Sequence, residues 1–331
     1  MKRSASVRRA SRPQRVLLTS ITGLAAVAGA NALFARWTER RHTPRGAFMI
    51  VDGVRLHYTD RGEGPAVVLI HGNAVTGEDW DTSGVADILL RTHRVIVFDR
   101  PGFGHSTRPH GAPWTAARQA DLIHRALSGL AVERPVVVGH SWGAIVALAL
   151  AERHQPDVAA LVLVSGYYFE TFRPDVPIVG VAALPVIGDV LRYTVLPLLG
   201  WLQMPLLKRA MFAPNRVTPR FERAYSTAMA LRPSQIRAGV QDGALMVRSA
   251  KALRARYGEL TLPVTIIAGQ GDAIVFARMA GRLHAVLPHS ALRIIRGAGH
   301  MLHHVDPQVV AEAVRDITIR SEAIAVQDAA G

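Results

Sequence analysis

The pentapeptide Gly139-His140-Ser141-Trp142-Gly143 constrains the fold more than any other stretch of this chain. A β-branched, apolar run at 134–138 precedes it, and an apolar, helix-forming run at 144–154 follows it. We therefore expect Ser141 in a tight turn between a buried strand and a helix, with glycines on both sides to leave room for the backbone. Such a turn presents a serine hydroxyl as a nucleophile. The alternative is a glycine-rich turn that contains an incidental serine.

Apolar runs of strand length recur along the chain and alternate with helical segments. The predicted strands are 66–70, 94–98, 160–164, 263–269 and 292–296, and the predicted helices are about 116–130, 276–287 and 307–319. A hairpin is predicted around Asp52-Gly53. Strands that are apolar throughout indicate a mostly parallel sheet covered by helices on both faces, which is an α/β fold.

The alternation stops between Tyr167 and Tyr257. This segment is apolar and punctuated by prolines, and it contains no convincing strand pattern. We predict that 167–257 is a helical cap inserted over the carboxyl edge of the sheet. The core would then comprise 46–166 and 258–320, followed by a loose tail at 321–331.

The net charge of +14 is concentrated before residue 46, where ten Lys and Arg residues accompany one acid, Glu39. That segment carries 10 − 1 = +9, which leaves 14 − 9 = +5 for the other residues. No basic stripe with interleaved aromatic residues is present, so we expect no nucleic-acid partner. The chain has no cysteine, which excludes disulfides, thiolate metal sites and a cysteine nucleophile.

Residues 16–35 carry no charge and are long enough to span a bilayer as a helix. We favour a membrane anchor, with the basic residues before it held on the cytoplasmic side. Two alternatives remain: a secretory signal cleaved near Ala30, which would export the protein, or a helix that packs on a cytoplasmic protein.

Three polar residues, Ser141, Asp272 and His300, follow predicted parallel strands, at the edge where open α/β sheets bind ligands. Their order along the chain resembles that of the α/β-hydrolase family, and the resemblance covers roughly residues 46–320. Five motifs carry it: His71-Gly72-Asn73, residues 99–106 (Asp-Arg-Pro-Gly-Phe-Gly-His-Ser), the pentapeptide 139–143, Gly269-Gln270-Gly271-Asp272 and Gly297-Ala298-Gly299-His300.

The resemblance implies a role for each of these three residues. Ser141 would attack the substrate, His300 would take its proton, and Asp272 would orient the imidazole. His303 and His304 compete with His300 as the base, but they lie further along, outside the motif.

The same resemblance assigns the oxyanion hole to the backbone N–H groups of Asn73 and Trp142. Relatives that use an aspartate at the turn, the haloalkane dehalogenases and epoxide hydrolases, are excluded by Ser141. Tyr167 and Tyr168 leave the sheet beside the site, and we predict that they line the substrate pocket. We expect no cofactor and no metal, since the histidines lack the spacing of a metal-binding motif.

A serine triad implies acyl transfer, so the predicted function is a carboxylesterase-like or lipase-like hydrolase acting on a small-molecule acyl substrate. The apolar cap favours an apolar acyl group, although cap helices are also apolar because they pack on the core. Two alternatives remain: an acyltransferase or cofactor-free perhydrolase with the same triad, or a non-catalytic, ligand-binding member of the fold.

Overall fold

A computed structural model describes residues 12–171, 176–287 and 289–330, without the side chains of 15–18, 176–179 and 328–330. It contains one eight-stranded sheet. The strands are β1 (Ala47–Val51), β2 (Val54–Arg61), β3 (Ala66–Ile70), β4 (Arg94–Phe98), β5 (Val136–His140), β6 (Ala160–Val164), β7 (Val264–Gly269) and β8 (Ala291–Ile295). The predicted strands therefore exist, within two residues of their expected bounds.

The sheet is mostly parallel, in the order β1-β2-β4-β3-β5-β6-β7-β8. The hairpin β1–β2 around Asp52-Gly53 is antiparallel, and β2 pairs antiparallel with β4. The other five pairings are parallel. Consequently β5, β6 and β7 lie side by side and end at one edge of the sheet, as the sequence predicts.

Fourteen helices are described. They are α1 (Arg12–Arg41), α2 (Glu78–Ser83), α3 (Val85–Leu89), α4 (Ala116–Gly129), α5 (Trp142–Arg153), α6 (Val176–Ala183), α7 (Ile187–Tyr193), α8 (Val195–Phe212), α9 (Pro219–Ala224), α10 (Thr227–Ala230), α11 (Pro233–Arg254), α12 (Arg278–Val286), α13 (Leu302–Val305) and α14 (Pro307–Ala330).

Helices cover both faces of the central parallel strands, which explains why β3 to β7 are almost entirely apolar. Val68 and Ile70 of β3 face the side packed by α4, α5 and α12. Their neighbours Val67 and Leu69 face the side packed by α3 and α14. Because side chains alternate along a strand, two covered faces require an unbroken apolar run.

The end of the chain differs from the prediction. Residues 321–331 were expected to form a loose tail, but α14 continues through them to Ala330. Residues 321–330 contain no glycine or proline and several alanines, so nothing in the sequence ends the helix. Ser321 is buried and donates a hydrogen bond to the carbonyl of Thr318.

The segment between Tyr167 and Tyr257 contains α6 to α11 in its described part. Helix α11 packs against α5 beside the sheet and against α6 and α7, so it joins the other helices of the predicted cap to the sheet. The assignment of 167–257 as a separate cap unit stays a prediction about domain organisation.

Helix α1 is long and apolar enough to cross a membrane by length and composition. None of the residues in its apolar window is buried. Its later part contacts the cap: Asn31 donates a hydrogen bond to the carbonyl of Tyr193 at 2.8 Å, and Glu39 pairs with Arg232 at 2.7 Å.

Candidate active site

Ser141 lies in the turn between β5 and α5 and has a backbone φ of 54° and ψ of −115°. This conformation is unfavourable for a residue with a side chain, so the surrounding structure must enforce it. The flanking residues must be glycines, because a side chain at either position would collide with the backbone. A Cβ on Gly139 would lie 2.4 Å from the carbonyl oxygen of Gly143, and one on Gly143 would lie 2.2 Å from that of Ile70. The turn therefore needs glycine at both positions.

Hydrogen bonds join Ser141, His300 and Asp272 in a line. The Nε2 atom of His300 is 3.1 Å from the Ser141 hydroxyl, and its Nδ1 atom is 2.9 Å from Oδ2 of Asp272. His300 and Asp272 are buried, whereas Ser141 is half-buried. An Nδ1–H that donates to the carboxylate leaves Nε2 free to accept from the serine hydroxyl.

The Asp272 carboxylate is held by the turn that follows β7. Its Oδ1 atom accepts hydrogen bonds from the backbone N–H groups of Ile274 and Val275 at 2.9 and 2.8 Å. Those bonds fix one oxygen, so the other points at His300. The backbone thus orients the carboxylate and, through it, the imidazole ring.

The other two histidines of this loop bind a different carboxylate. His303 and His304 each donate through Nε2 to Asp79, at 2.8 Å to separate oxygens. Burial alone would raise the pKa of Asp79, yet the two imidazoles hold it well below its ordinary value. Burial lowers the pKa of His303 to about 4. Asp79 therefore anchors the loop that carries His300, and both competing histidines are engaged elsewhere.

His140, next to the nucleophile, supports the same loop. Its Nε2 atom lies 3.1 Å from the carbonyl oxygen of His300, and its ring is 4.3 Å from that of His303. Burial, together with His303 and His300, lowers the pKa of His140 far below its ordinary value. A neutral imidazole that donates to the His300 carbonyl helps to shape this loop.

The predicted oxyanion hole lies between the end of β3 and the start of α5. Trp142 is the first residue of α5, so its N–H has no acceptor within the helix and lies at the positive end of the helix dipole. Asn73 is half-buried, and its side-chain oxygen accepts a hydrogen bond from Arg100 at 2.7 Å. The assignment of both N–H groups to the oxyanion hole stays a prediction.

Arg100 holds the loop that contains Asn73. Its guanidinium is fully buried and donates to the carbonyl oxygens of His71 and Gly72 at 2.9 and 3.0 Å, in addition to Asn73. The backbone N–H of Arg100 donates to Nε2 of His71 at 2.9 Å. Burial lowers the pKa of Arg100 to about 10, which still leaves it charged at neutral pH.

The charge of Arg100 is balanced by the cap. Asp242 of α11 accepts hydrogen bonds from Arg100 at 2.5 Å and from Arg108 at 2.9 Å, and its carboxylate is fully buried. Because a buried charge is stable only when paired, this cluster links the loop of Asn73 to the cap.

The loop 99–106 is shaped by its aspartate. Asp99 accepts hydrogen bonds from the N–H groups of Gly77 and His105 and from Nδ1 of His57. A Cβ on Gly104, whose φ is +51°, would lie 2.0 Å from the Asp99 carboxylate. The glycine is therefore dictated by close approach and by backbone conformation.

Tyr167 and Tyr168, the predicted pocket residues, are both buried. The Tyr167 hydroxyl bonds to Thr171, and the Tyr168 hydroxyl accepts from the N–H of Gly166. Both side chains pack in the core cluster beside α5. Their role in substrate binding stays a prediction.

A cavity of about 50 Å³ lies next to the loop of Asn73, and Ser141, Asp272 and His300 are not among its lining residues. It is lined by Ala74 and Val75 of that loop and by cap residues that include Phe221, Tyr225 and Met229. The Tyr225 hydroxyl donates to the carbonyl of Ala74 at 3.0 Å. The cap and the loop of Asn73 thus form its walls together.

Two groups of described residues bring three possible metal ligands together, Asp79 with His140 and His303, and His124 with His154 and Asp157. In both groups these atoms already bond to one another, His303 to Asp79 and His124 to Asp157, each at 2.8 Å. We assign neither group to a metal.

Sequence reasoning did not assign roles to Arg100, Asp242 and Asp79. Arg100 lies within the motif at 99–106, and Asp242 is an acid within the otherwise basic and apolar helix α11. A buried charge has no local signature, since its partner is distant in sequence.

Comparison with known proteins gives a consistent picture. The sequence profile of the alpha/beta hydrolase fold matches residues 65–307. An uncharacterized protein of Mycobacterium tuberculosis is 33% identical over 275 residues, which cover 80% of this chain and 78% of that protein. The 2-hydroxymuconate semialdehyde hydrolase of Pseudomonas putida is 36% identical over 118 residues, which cover 36% of this chain and 42% of that protein. The thermophilic esterase of Thermogutta terrifontis superposes with a TM-score of 0.62 at 21% identity, covering 84% of this chain and 99% of the esterase.

Proposed function

Because this chain belongs to the α/β hydrolase fold family, we propose that it is a serine hydrolase that cleaves an acyl bond through Ser141, His300 and Asp272. The observation that carries the proposal is the hydrogen-bonded line from the Ser141 hydroxyl through His300 to Asp272. The strained backbone of Ser141 supports it, because strain of this kind accumulates at reactive residues.

The proposed reaction has two matched halves. The Oγ atom of Ser141 attacks the substrate carbonyl carbon while Nε2 of His300 accepts its proton, and the carbonyl electron pair moves to oxygen. Collapse of this tetrahedral species expels the leaving group, which takes the proton from His300. Water then repeats the sequence on the acyl-enzyme and releases the acid and the free serine.

The oxyanion would bind the N–H groups of Asn73 and Trp142. The first position of α5 favours negative charge at Trp142, and the bonds from Arg100 fix the loop of Asn73 before substrate arrives. Donors that are fixed in advance need no reorganisation in the transition state.

The proposed substrate carries an apolar acyl group. The apolar helices of the segment between Tyr167 and Tyr257 support this proposal, and the cavity beside the loop of Asn73 has Val75, Phe221 and Met229 in its lining together with the acids Glu78, Asp79 and Asp99. The similarity to a 2-hydroxymuconate semialdehyde hydrolase makes a carbon–carbon bond beside a carbonyl an additional candidate for the cleaved bond.

We further propose that α1 anchors the protein in a membrane. The helix has 30 residues, its apolar window is unburied, and its last turn carries Arg40 and Arg41. Cations at a helix end suit the interface with lipid headgroups.

The hydrolase proposal is tested with p-nitrophenyl esters of increasing acyl length. We expect hydrolysis that is lost in Ser141→Ala by about a thousandfold or more. A rate in Ser141→Ala equal to that of the parent chain would refute the assignment of the nucleophile. A preference for acetyl over octanoyl esters would refute the apolar acyl group but not the triad.

A further inference from the structure

Helix α8 is mostly apolar, with Gln203, Lys208 and Arg209 as its polar side chains, yet it is buried along only one narrow line. Its buried residues are Pro197, Met204, Met211 and Phe212. On another face, Leu198, Leu202 and Leu206 follow one another at every fourth position and are 62, 79 and 70% exposed. A helix on the surface of a soluble protein normally turns polar residues outward. The outer face of α8 therefore lacks the pattern expected for contact with water.

The neighbouring helix also exposes apolar residues. Helix α7 packs against α8, and Val186 and Ile187 at its start are exposed. We call this surface the cap apolar face, defined by Val186, Ile187, Leu198, Trp201, Leu202 and Leu206. Exposed large apolar residues gathered on two neighbouring helices mark a site of interaction with a protein or a membrane.

The cap apolar face lies where α1 meets the cap. Asn31 bonds to the carbonyl of Tyr193 at the end of α7. Phe34 of α1 lines the same crevice as Pro197 and Trp201 of α8. The apolar surface of α1 and the cap apolar face are therefore adjacent, and a single lipid bilayer can bury both.

The uncharged stretch of α1 matches a bilayer in length. From Val16 to Ala35 a helix rises about 28 Å, close to the roughly 30 Å of a hydrocarbon core. If that stretch spans the membrane, Asn31 lies within about one helical turn of the membrane surface. The residues of α7 and α8 that touch α1 then lie at the same depth.

The charges around the surface suit lipid headgroups. Helix α8 contains no acidic residue, and Arg209 near its end is exposed. On α1, Arg36 and Arg40 are exposed just beyond the contact with the cap. The acid of α7, Asp189, is paired with Arg192. Cations beside an apolar face favour a bilayer that contains anionic lipid.

We propose that the cap apolar face docks onto a lipid bilayer and sits in the membrane surface where α1 leaves it. The inference uses the proposed anchor to set the depth, but the exposure of α8 supports it independently. It makes the cap a second membrane contact, separate from the spanning helix.

Docking would bring the candidate active site close to lipid. The carbonyl of Met211, in the last turn of α8, accepts a hydrogen bond from the N–H of Met301 at 3.3 Å. Asn215 just beyond the helix accepts from the N–H of Gly299 at 3.2 Å. These bonds flank His300 on both sides. The docked helix thus holds the loop of the proposed base, which favours a substrate dissolved in the membrane.

The absence of cysteine allows a direct test in the full-length protein. Single variants Leu202→Cys, Leu24→Cys and Glu63→Cys are labelled with an environment-sensitive nitrobenzoxadiazole dye. Leu24 reports on α1, and Glu63, exposed before β3 at the opposite edge of the sheet, is the matched control. The proteins are reconstituted into phosphatidylcholine and phosphatidylglycerol vesicles, with nitroxides placed near the headgroup or deep in the acyl chains.

We expect a blue shift of the dye at position 202 and quenching mainly by the nitroxide near the headgroup. The dye at position 24 should be quenched mainly by the deep nitroxide, and the dye at position 63 by neither. Quenching at 202 without quenching at 24 would refute the anchor but keep the docking. Quenching at 24 with an unshifted dye at 202 would overturn the docking alone. The dye at position 202 could instead shift to the blue in proportion to protein concentration and be quenched by no nitroxide. That result would mean that a second copy of the chain covers the face, and it would overturn docking onto lipid.

A double variant, Leu202→Gln with Leu206→Gln, tests the consequence. Both side chains are exposed, so the fold, the melting temperature in detergent and the hydrolysis of a water-soluble ester should be unchanged. We expect the ratio of vesicle-borne to soluble ester hydrolysis to fall. An unchanged ratio would contradict a docked cap. If the parent chain itself hydrolysed no soluble ester, that result would refute the proposed hydrolase function and not the docking.

Discussion

Arg100 donates a hydrogen bond to Asp242 at 2.5 Å, and both side chains are fully buried. On its other side Arg100 holds the loop that ends in Asn73. The pair therefore connects helix α11 of the cap to one of the two proposed oxyanion donors. A shift of the cap at Asp242 would be transmitted to the active site through a single guanidinium.

Asp242→Asn should destabilise the protein strongly. The substitution keeps the shape of the side chain but leaves the charges of Arg100 and Arg108 buried without a partner. We expect a loss of about 3–5 kcal/mol in urea unfolding, the usual consequence of breaking a buried pair. Asp60→Asn, which breaks the more exposed pair with Arg94, is the control and should cost about 1 kcal/mol or less. Equal losses would contradict the special role of Asp242.

Substitution of His300 and of His304 should separate catalysis from support of the loop. His300→Ala removes the proposed base and should lower kcat by about a thousandfold or more. His304→Gln can still donate to Asp79, so its kcat should stay close to that of the parent chain. The two rates are compared on one soluble ester. If kcat fell strongly in His304→Gln and not in His300→Ala, the assignment of His300 as the base would be wrong.

Gly139→Ala should disrupt the turn at Ser141. The added Cβ would lie 2.4 Å from the Gly143 carbonyl and 2.6 Å from Cα of Ala144, both rigid backbone atoms. We expect a loss of roughly 3 kcal/mol together with loss of activity. Gly281→Ala is the control: apart from the backbone of its own helix and its chain neighbours, no atom lies within 4 Å of the added Cβ, and alanine in helix α12 should stabilise by about 0.5–1 kcal/mol. Comparable melting temperatures for the two variants would argue against a crowded turn.

Stability should fall on acidification between about pH 6.5 and 4. Burial lowers the pKa of both His71 and His303 from 6.5 to about 4, with Arg100 acting on His71 in the same direction. A histidine whose pKa is lower in the folded state binds fewer protons than when unfolded. Its contribution is therefore complete above pH 6.5 and is lost as the pH falls toward 4.

Urea unfolding across this range measures the effect. Asp79 does not add to it, because its lowered pKa removes stability only below the ordinary aspartate value. His71→Asn should flatten part of the slope, since it removes one of the titrating groups. A free energy of unfolding that is constant from pH 7 to pH 4 would contradict neutral, buried imidazoles.

Much of the fold and of the candidate site was predictable from short stretches of sequence. Apolar runs predicted β3 to β7 because both faces of those strands are buried, and β8, which is only partly buried, because it is still largely apolar. The glycines around Ser141 predicted its turn because no other residue fits there. Asp272 and His300 followed from their positions at strand ends, since parallel strands finish at one edge of the sheet.

What the tertiary structure alone decided depends on partners that are distant in sequence. Arg100 and Asp242 are 142 residues apart, and Asp79 and His303 are 224 apart, so no local pattern announces either contact. The sequence also predicted the apolar character of α8 but not which of its sides is covered. Burial depends on how the whole chain packs. The sequence shows that Leu202 is apolar, but only the structure shows that no other part of the described chain covers it.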